Sequence, residues 1–239
     1  MRLTRLYISE QQLATGVVVS LTDNHAHYLL RVLRMQHGNP VVLFNEISGA
    51  WRGILSAEGK KASVTLEENI QTAMPPGNIH LLISPLKKEA WDFCIEKATE
   101  LGVASVQPVM MDFTQNARVN DERTRANLTE AAQQCERTDV PRYKEADKLD
   151  QVLKNWDPAV PIYVALERSD AHPAVQVFES GKPSAILIGP EGGFSPRERD
   201  LLAKYEFVKS ISLGPLILRA ETAALTALAL WGAAGGRPV

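Results

Sequence analysis

The sequence predicts an α/β protein in two parts: a small β domain over residues 1–73, then a mainly parallel sheet covered by helices over residues 74–239. Three observations predict it. Short strand-forming runs separated by turn residues occupy the first part. The break Met74-Pro75-Pro76-Gly77 follows, and beyond it β-rich and helical runs alternate, as they do in parallel sheets. Over Ala185–Trp231 one arrangement then occurs twice: an apolar run, a Gly-Pro step and a helix.

In the first part the strand candidates are Leu6–Ile8, Val17–Leu21, Val41–Phe44, Trp51–Leu55 and Ala62–Leu66. Turn chemistry separates them at Gly38-Asn39-Pro40, Ser48-Gly49 and Glu58-Gly59-Lys60. One helix interrupts the strands, from Asn24 to Arg34, with Asp23 as its N-cap. Ala26, Leu29, Leu30 and Leu33 recur at i, i+3, i+4, i+7 and form its buried stripe. His27, Arg31 and Arg34 keep the same spacing on another face and make a basic ridge, with Arg2 and Arg5 beside it. A solvated helix face and an RNA-contacting one are both open readings of that ridge. The elements together predict a small barrel-like β domain.

In the second part Ile79–Ile83 reads as a strand, and Lys88–Leu101 as a helix closed by Gly102. Val103–Val109 is the next strand, Phe113–Asn120 a polar loop, and Glu122–Glu136 a helix stopped by Thr138-Asp139-Val140-Pro141. Ile162–Leu166 is another β-rich run. Ala185–Ile188 makes a strand ending at Gly189-Pro190. Ser195 then serves as N-cap, Pro196 takes the first helical position and Glu198 closes a capping box. Val208–Leu213 is the second strand, ended by Gly214-Pro215. From Ala220 a helix apolar on nearly every side (Ala223, Ala224, Leu225, Leu228, Leu230, Trp231) has to be buried.

A right-handed strand–helix–strand crossover makes those two strands parallel, so both Gly-Pro loops fall at the carboxyl edge of the sheet, where open α/β sheets bind ligands. Gly192 and Gly193 allow a ligand close to the backbone. With apolar walls from Ile188, Leu213, Leu216, Ile217 and Leu218, the loops suit an adenine ring and its ribose better than a triphosphate, which calls for Lys or Arg.

Composition excludes several classes. A formal charge of −2 over 239 residues argues against a generally basic nucleic-acid coat, so any RNA contact has to come from local patches. Cys94 and Cys135 are the two cysteines, far apart and without a C-x-x-C, which fits a reducing cytoplasm and neither a disulfide framework nor a zinc cluster. The five histidines are scattered, and none reads as a metal ligand. The opening MRLTRLYISE has no apolar signal core, and no run is long enough to span a bilayer. No G-x-G, P-loop, G-x-S-x-G or H-E-x-x-H occurs, which sets aside dinucleotide, phosphate-loop, serine-hydrolase and zinc-protease chemistry.

GPEGGF followed by LGP-x-ILR-x-ETA resembles the SPOUT (α/β-knot) methyltransferases, and more closely the bacterial 16S ribosomal RNA uridine-N3 methyltransferase family. EKATELGV at Glu96–Val103, EAAQQCERTDVP at Glu130–Pro141 and HYLLRVLRMQHG at His27–Gly38 extend the resemblance, in the family's order, over almost the whole chain. It implies a PUA-like RNA-binding β-barrel domain before an α/β-knot domain, S-adenosyl-L-methionine as cofactor, and a homodimer in which the partner chain completes each pocket. The implied substrate is 16S ribosomal RNA in the small ribosomal subunit, methylated at N3 of a uridine. The implied cofactor residues are Leu166, Ile188, Gly189, Gly192, Gly193, Leu213, Gly214 and Leu218. Lys97, an i, i+3 neighbour of Glu100, reads as a surface ion pair of little worth or, by the resemblance, as part of the RNA or dimer surface; it joins Arg5, His27, Arg31 and Arg34 as a candidate RNA contact. The sequence departs from the family at Leu216, where an arginine is frequent, and more mildly at Ala220, where a threonine is.

Methylating uracil N3 requires its proton to be removed and the charge spreading onto the neighbouring carbonyls to be stabilised. Arg219 is the candidate donor to a carbonyl; Glu221 and Glu191 are candidate proton acceptors if desolvation raises their pKa. The structural alternatives are an Arg219–Glu221 pair and a glutamate satisfying amides at a helix start. For the chain as a whole, the alternatives are another SPOUT RNA methyltransferase, acting on tRNA or on ribose 2′-oxygen, and a non-catalytic ribosome-assembly RNA-binding protein.

Overall fold

The computed structural model describes residues 3–115, 118–166, 171–179 and 181–236; Arg2 lies outside them. The chain falls into two units, residues 1–76 with 132–140, and residues 77–131 with 141–239.

The first unit contains β1 (Thr4–Tyr7), β2 (Val18–Ser20), α1 (Asp23–His27), β3 (Pro40–Asn45), β4 (Gly49–Glu58) and β5 (Lys61–Gln71). They form one five-stranded sheet in the order β1-β3-β4-β5-β2, antiparallel except for β1 beside β3. Alternation decides which face is buried. Ala62, Val64 and Leu66 of β5 turn inward onto Leu6, Val19, Leu29, Leu43 and Leu55, while the residues between them stay at least partly exposed.

Two expectations for this unit need correction. The helix is capped by Thr22, whose Oγ1 accepts from His25 N–H, rather than by Asp23. It also changes pitch, continuing as a π-helical turn over Tyr28–Val32 with Leu33 N–H bonded to Tyr28 O. The wider turn rotates later residues off the expected stripe: Ala26 and Leu29 are buried, but Leu33 is 39% exposed. Arg34 ends the turn in the left-handed region, at φ +54°, so it is not a helix-face neighbour of Arg31.

The second correction concerns Arg5. It is buried, not on an RNA-facing surface. Its guanidinium lies over the Phe44 ring and donates to Gln71 Oε1 and to the carbonyls of Glu136 and Arg137. A buried cation needs such partners, and residues 132–140 supply them. The same segment receives Tyr7 N–H at Gln133 Oε1 and Met74 N–H at Thr138 Oγ1.

The second unit contains β6 (Ile79–Ile83), α2 (Lys88–Glu100), β7 (Ser105–Met110), α3 (Asp121–Gln134), β8 (Arg142–Tyr143), β9 (Asp147–Lys148) and α4 (Leu149–Lys154). It continues with β10 (Ile162–Ala165), α5 (Ala174–Val177), β11 (Ser184–Ile188), α6 (Pro196–Leu202), β12 (Val208–Ile211) and α7 (Ala220–Trp231). All its strand pairs are parallel, in the order β12-β10-β11-β6-β7-β8, with β9 also against β7. This is the mainly parallel α/β sheet that the alternation predicts. The two strands of the repeated arrangement, β11 and β12, are parallel as expected but flank β10 instead of touching.

On one face Leu82, Val109, Leu149, Val152, Ile162, Val164, Leu187 and Leu202 form the core. On the other, α7 packs on α2, β6 and β11, burying Ala223, Ala224, Ala227, Leu228 and Trp231. Truncating a buried leucine such as Leu228 to alanine costs about 2–5 kcal/mol.

Candidate active site

The sheet register brings the expected cofactor segments together. Val164 of β10 pairs with Leu187 on one side and Ser210 on the other, and Ala165 pairs with Ile211. The next residues out, Leu166, Gly189 and the Ser212–Leu213 step, therefore leave the same carboxyl edge side by side. Pro173 bridges to Ser212, which adds residues 171–173 to that border.

The loop after β11 is shaped by close approaches. A Cβ at Gly189 would sit 2.8 Å from the Phe194 ring, and one at Gly192 would sit 3.1 Å from Phe113 Cβ. Gly193 has φ +73° and closes a turn by donating to Pro190 O at 2.8 Å. Bare backbone is thus required at three successive glycines of this segment. Ile188 is buried, and its carbonyl accepts Ser84 N–H, so it supports the loop from beneath. In the loop after β12, Gly214 has φ +113°, Leu213 and Leu218 are half-buried, and Leu216 and Ile217 are 78% and 66% exposed.

The expected catalytic groups lie along this edge. Arg219 is exposed at the N-cap of α7, caps it with no side-chain hydrogen bond, and among the described residues forms no ion pair with Glu221. Glu221 is half-buried in the first turn of α7. Burial pushes the Cys94 thiol on α2 up to about 12, and the charge of Glu221 adds to that rise. Glu191 is exposed in the Pro190–Gly193 turn.

The expected RNA contacts separate. His27, Arg31 and Arg34 are exposed on and just after α1, in the first unit. Lys97 belongs to the second, where Glu96 and Glu100 hold it at 2.7 and 2.8 Å and stabilise its charged form.

The sequence reading missed one part of the edge, the segment after β7. Asp112 N–H donates to the fully buried Glu198, at Oε1, 2.8 Å away. The Asp112 carboxylate accepts the Ser195 hydroxyl and two bonds from Arg197, at 3.1 and 2.6 Å. These bonds, led by Arg197, hold its carboxyl below the usual carboxylate range. Thr114 Oγ1 accepts Met111 N–H and bonds Ser84 Oγ. No local signal marks Asp112, because its partners lie more than eighty residues downstream. A cavity of about 310 Å³ opens beside it, between Met110, Met111, Lys148, Leu149, Asp150 and Arg197. It lies at the β7–β9 end of the edge, not at the Gly-Pro loops.

Residues 73–232 match the family described as RNA methyltransferase domain, and residues 21–67 one described as RNA methyltransferase PUA domain. Ribosomal RNA small subunit methyltransferase E of Rickettsia conorii is 32% identical over 232 residues, covering 96% of this chain and 95% of that protein. The protein of the same name from Bacillus subtilis is 27% identical over 237 residues, 92% of each. Among solved structures, ribosomal RNA small subunit methyltransferase E of Neisseria gonorrhoeae, bound to S-adenosyl methionine, superposes with a TM-score of 0.83 at 26% identity. That match covers 95% of this chain and 96% of the other. A Legionella pneumophila methyltransferase in complex with the same cofactor superposes with a TM-score of 0.85 at 26% identity, over 98% of both chains. The fold class agrees with expectation in its α/β domain with a mainly parallel sheet, matched as an RNA methyltransferase domain, and in the PUA domain that precedes it in sequence. With one match spanning most of the second unit and the other lying within the first, this chain belongs to the RNA methyltransferase family.

Proposed function

We propose that this enzyme transfers a methyl group from S-adenosyl-L-methionine to N3 of a uridine in 16S ribosomal RNA of the small ribosomal subunit. One observation carries the reading: three strand ends and two glycine loops share one row of the parallel sheet's carboxyl edge. They do so in a chain similar to proteins named for small-subunit ribosomal RNA methylation. The cofactor fits this donor set. Gly193 and Gly214 leave backbone open to it, Gly189 and Gly192 shape the turn between them and β11, and Leu166, Leu213 and Leu218 offer apolar surface to its adenosine end.

When bound, the cofactor supplies an electrophilic methyl group on a sulfonium. The chain's own residues prepare the acceptor. Arg219, exposed and with no ion-pair partner among the described residues, donates to a uracil carbonyl and stabilises the charge that appears when N3 loses its proton. Glu221, half-buried in the first turn of α7, or Glu191, exposed in the Pro190–Gly193 turn, takes that proton. With its proton taken by a glutamate and its carbonyl held by Arg219, N3 would present a free lone pair to the methyl group that the bound cofactor would supply.

Residues 1–73 hold the RNA through His27, Arg31 and Arg34, and residues 74–239 carry the chemistry; Lys97, already paired with Glu96 and Glu100, serves the RNA only where phosphate displaces those carboxylates. The enzyme works in the cytoplasm as a homodimer, the partner chain completing each pocket. Labelled S-adenosylmethionine incubated with unmodified small subunits and, separately, with tRNA tests the substrate: label should enter the subunits. Label in tRNA alone, or in neither, overturns the reading. Replacing Arg31 and Arg34 with alanine should weaken RNA binding and flatten its salt dependence by about one unit of slope per lost phosphate contact. An unchanged slope would leave the ridge a solvated face.

A further inference from the structure

Phe113 is a large apolar side chain left 47% exposed in the segment after β7, beside the glycine loop after β11. Its Cβ would lie 3.1 Å from a Cβ at Gly192, and its ring carbons Cγ and Cδ2 would lie 3.6 Å from it, so the side chain packs against that bare backbone with one edge of the ring. Both neighbours in sequence are tied down. Asp112 is held by Glu198, Ser195 and Arg197, and Thr114 by Ser84 and Met111. The ring is therefore presented by a fixed backbone and yet has an uncovered surface.

Its place in the sheet order says what that surface faces. The candidate cofactor segments follow β12, β10 and β11, and the order is β12-β10-β11-β6-β7. The segment after β7 stands on the opposite flank of the Gly189–Gly193 loop from β10 and β12. That flank carries Lys87, exposed at the N-cap of α2, after the loop that leaves β6. An exposed aromatic ring and an exposed cation on the segments that follow two neighbouring strands are the groups that receive an unstacked base and its phosphate.

We infer that Phe113 is a positioning residue that stacks on the unpaired uracil to be methylated and fixes it against the glycine loop after β11. The inference rests on the proposed reaction, but it concerns a side chain outside the cofactor and catalytic groups. A flat ring on a pinned backbone loses little entropy on stacking, so it limits the uracil to a narrow set of orientations in which N3 is in line for transfer.

The test compares Phe113→Ala, Phe113→Leu and Phe113→Trp in the full chain, by single-turnover methylation of unmodified small subunits at saturating cofactor. Losing one base stack should slow transfer about tenfold or more in the alanine variant. Leucine, which keeps apolar bulk without a ring face, should remain slow, and tryptophan should restore the rate. Calorimetric affinity for S-adenosylmethionine and the melting temperature should match wild type throughout. Wild-type rates in the alanine or leucine variant overturn the inference. So does an equal loss of cofactor affinity, which would place the ring on the cofactor, or a change of oligomeric mass, which would make it a contact between copies. Should wild type methylate no small subunits, the proposed reaction fails on its own. Stacking is then decided by the emission that Phe113→Trp adds over wild type: quenching by a uridine-containing single strand, absent with an abasic one, upholds it, and no quenching overturns it.

Discussion

The loop after β11 and the loop after β12 stand on either side of β10 and open onto the same edge, but they are held in opposite ways. The first is braced from within the chain. Phe194 fills the space under Gly189, and the capping box of Ser195 and Glu198 ties the following helix to Asp112. The second has a 3.3 Å bond from Gly214 N–H to Ser212 Oγ, and it leaves Leu216, Ile217 and Arg219 exposed. One flank of the pocket is thus preorganised by intramolecular bonds. The other presents apolar side chains and a cation outward, where substrate and a partner chain can engage them.

That contrast predicts which substitutions act on rate and which on folding. Arg219 sits on the outward flank, so Arg219→Ala should lower single-turnover methylation about 10²–10³-fold, the usual loss for one donor aimed at developing charge. Its cofactor affinity and melting temperature should be those of wild type. Arg219→Lys should recover only part of the rate, because lysine keeps the charge without the planar fork of donors. A lowered melting temperature with a normal rate per folded molecule would make Arg219 structural and erase the distinction between the loops.

The braced flank should respond through geometry. Gly193→Val forces a branched residue to φ +73°, a strain of about 1–3 kcal/mol, and should weaken S-adenosylmethionine binding about tenfold or more. Unchanged calorimetric affinity in a folded variant would remove this loop from the cofactor site. Ser195→Ala takes away both the helix cap and the hydroxyl donor to Asp112, and should lower stability by about 1 kcal/mol in denaturant titrations, with the rate following only as the loop loosens.

How much of this was legible in the sequence divides along the same line. β11, the capping box at Ser195–Glu198, β12 and the start of α7 were readable because each rests on residues a few positions apart: an apolar run, a Ser-Pro-x-Glu signal, a Gly-Pro stop. Asp112 and Phe113 were not, since their partners Glu198, Arg197 and Gly192 lie far along the chain and only the fold brings them close. Arg5 misled for the same reason. A basic residue in a short strand looks surface-bound until residues 132–140 close over it. The π-helical turn at Tyr28–Val32 shows a different limit, because the 3.6-residue period used to place Leu33 and Arg34 assumes an α-helix throughout.

The smallest expected effect is a pH dependence, to which Asp112 on the braced flank and His80 near the start of β6 both contribute. Asp112, held below the usual carboxylate range by Arg197 and Ser195, stabilises the fold above its unfolded value of 3.8 and loses that contribution as pH falls through its lower folded value. His80 acts at higher pH. Burial lowers it from 6.5 to about 4, so the folded unit binds fewer protons than the unfolded chain, and stability falls as pH drops from 6.5 toward about 4. Amide exchange at Asp112, whose N–H bonds Glu198, should therefore follow the core down to about pH 4 and outpace it only below. Early divergence, above pH 4, would show that Asp112 does not brace the loop.

The central claim is the atom that receives the methyl group, and nucleoside analysis reads it directly. Small subunits lacking the modification are incubated with the enzyme and labelled S-adenosylmethionine, and their 16S ribosomal RNA is digested to nucleosides and separated. The account predicts label in N3-methyluridine, at a single position of the RNA, and none when the enzyme is omitted. Label in a 2′-O-methylated nucleoside, or RNA binding with no label transferred, would contradict it.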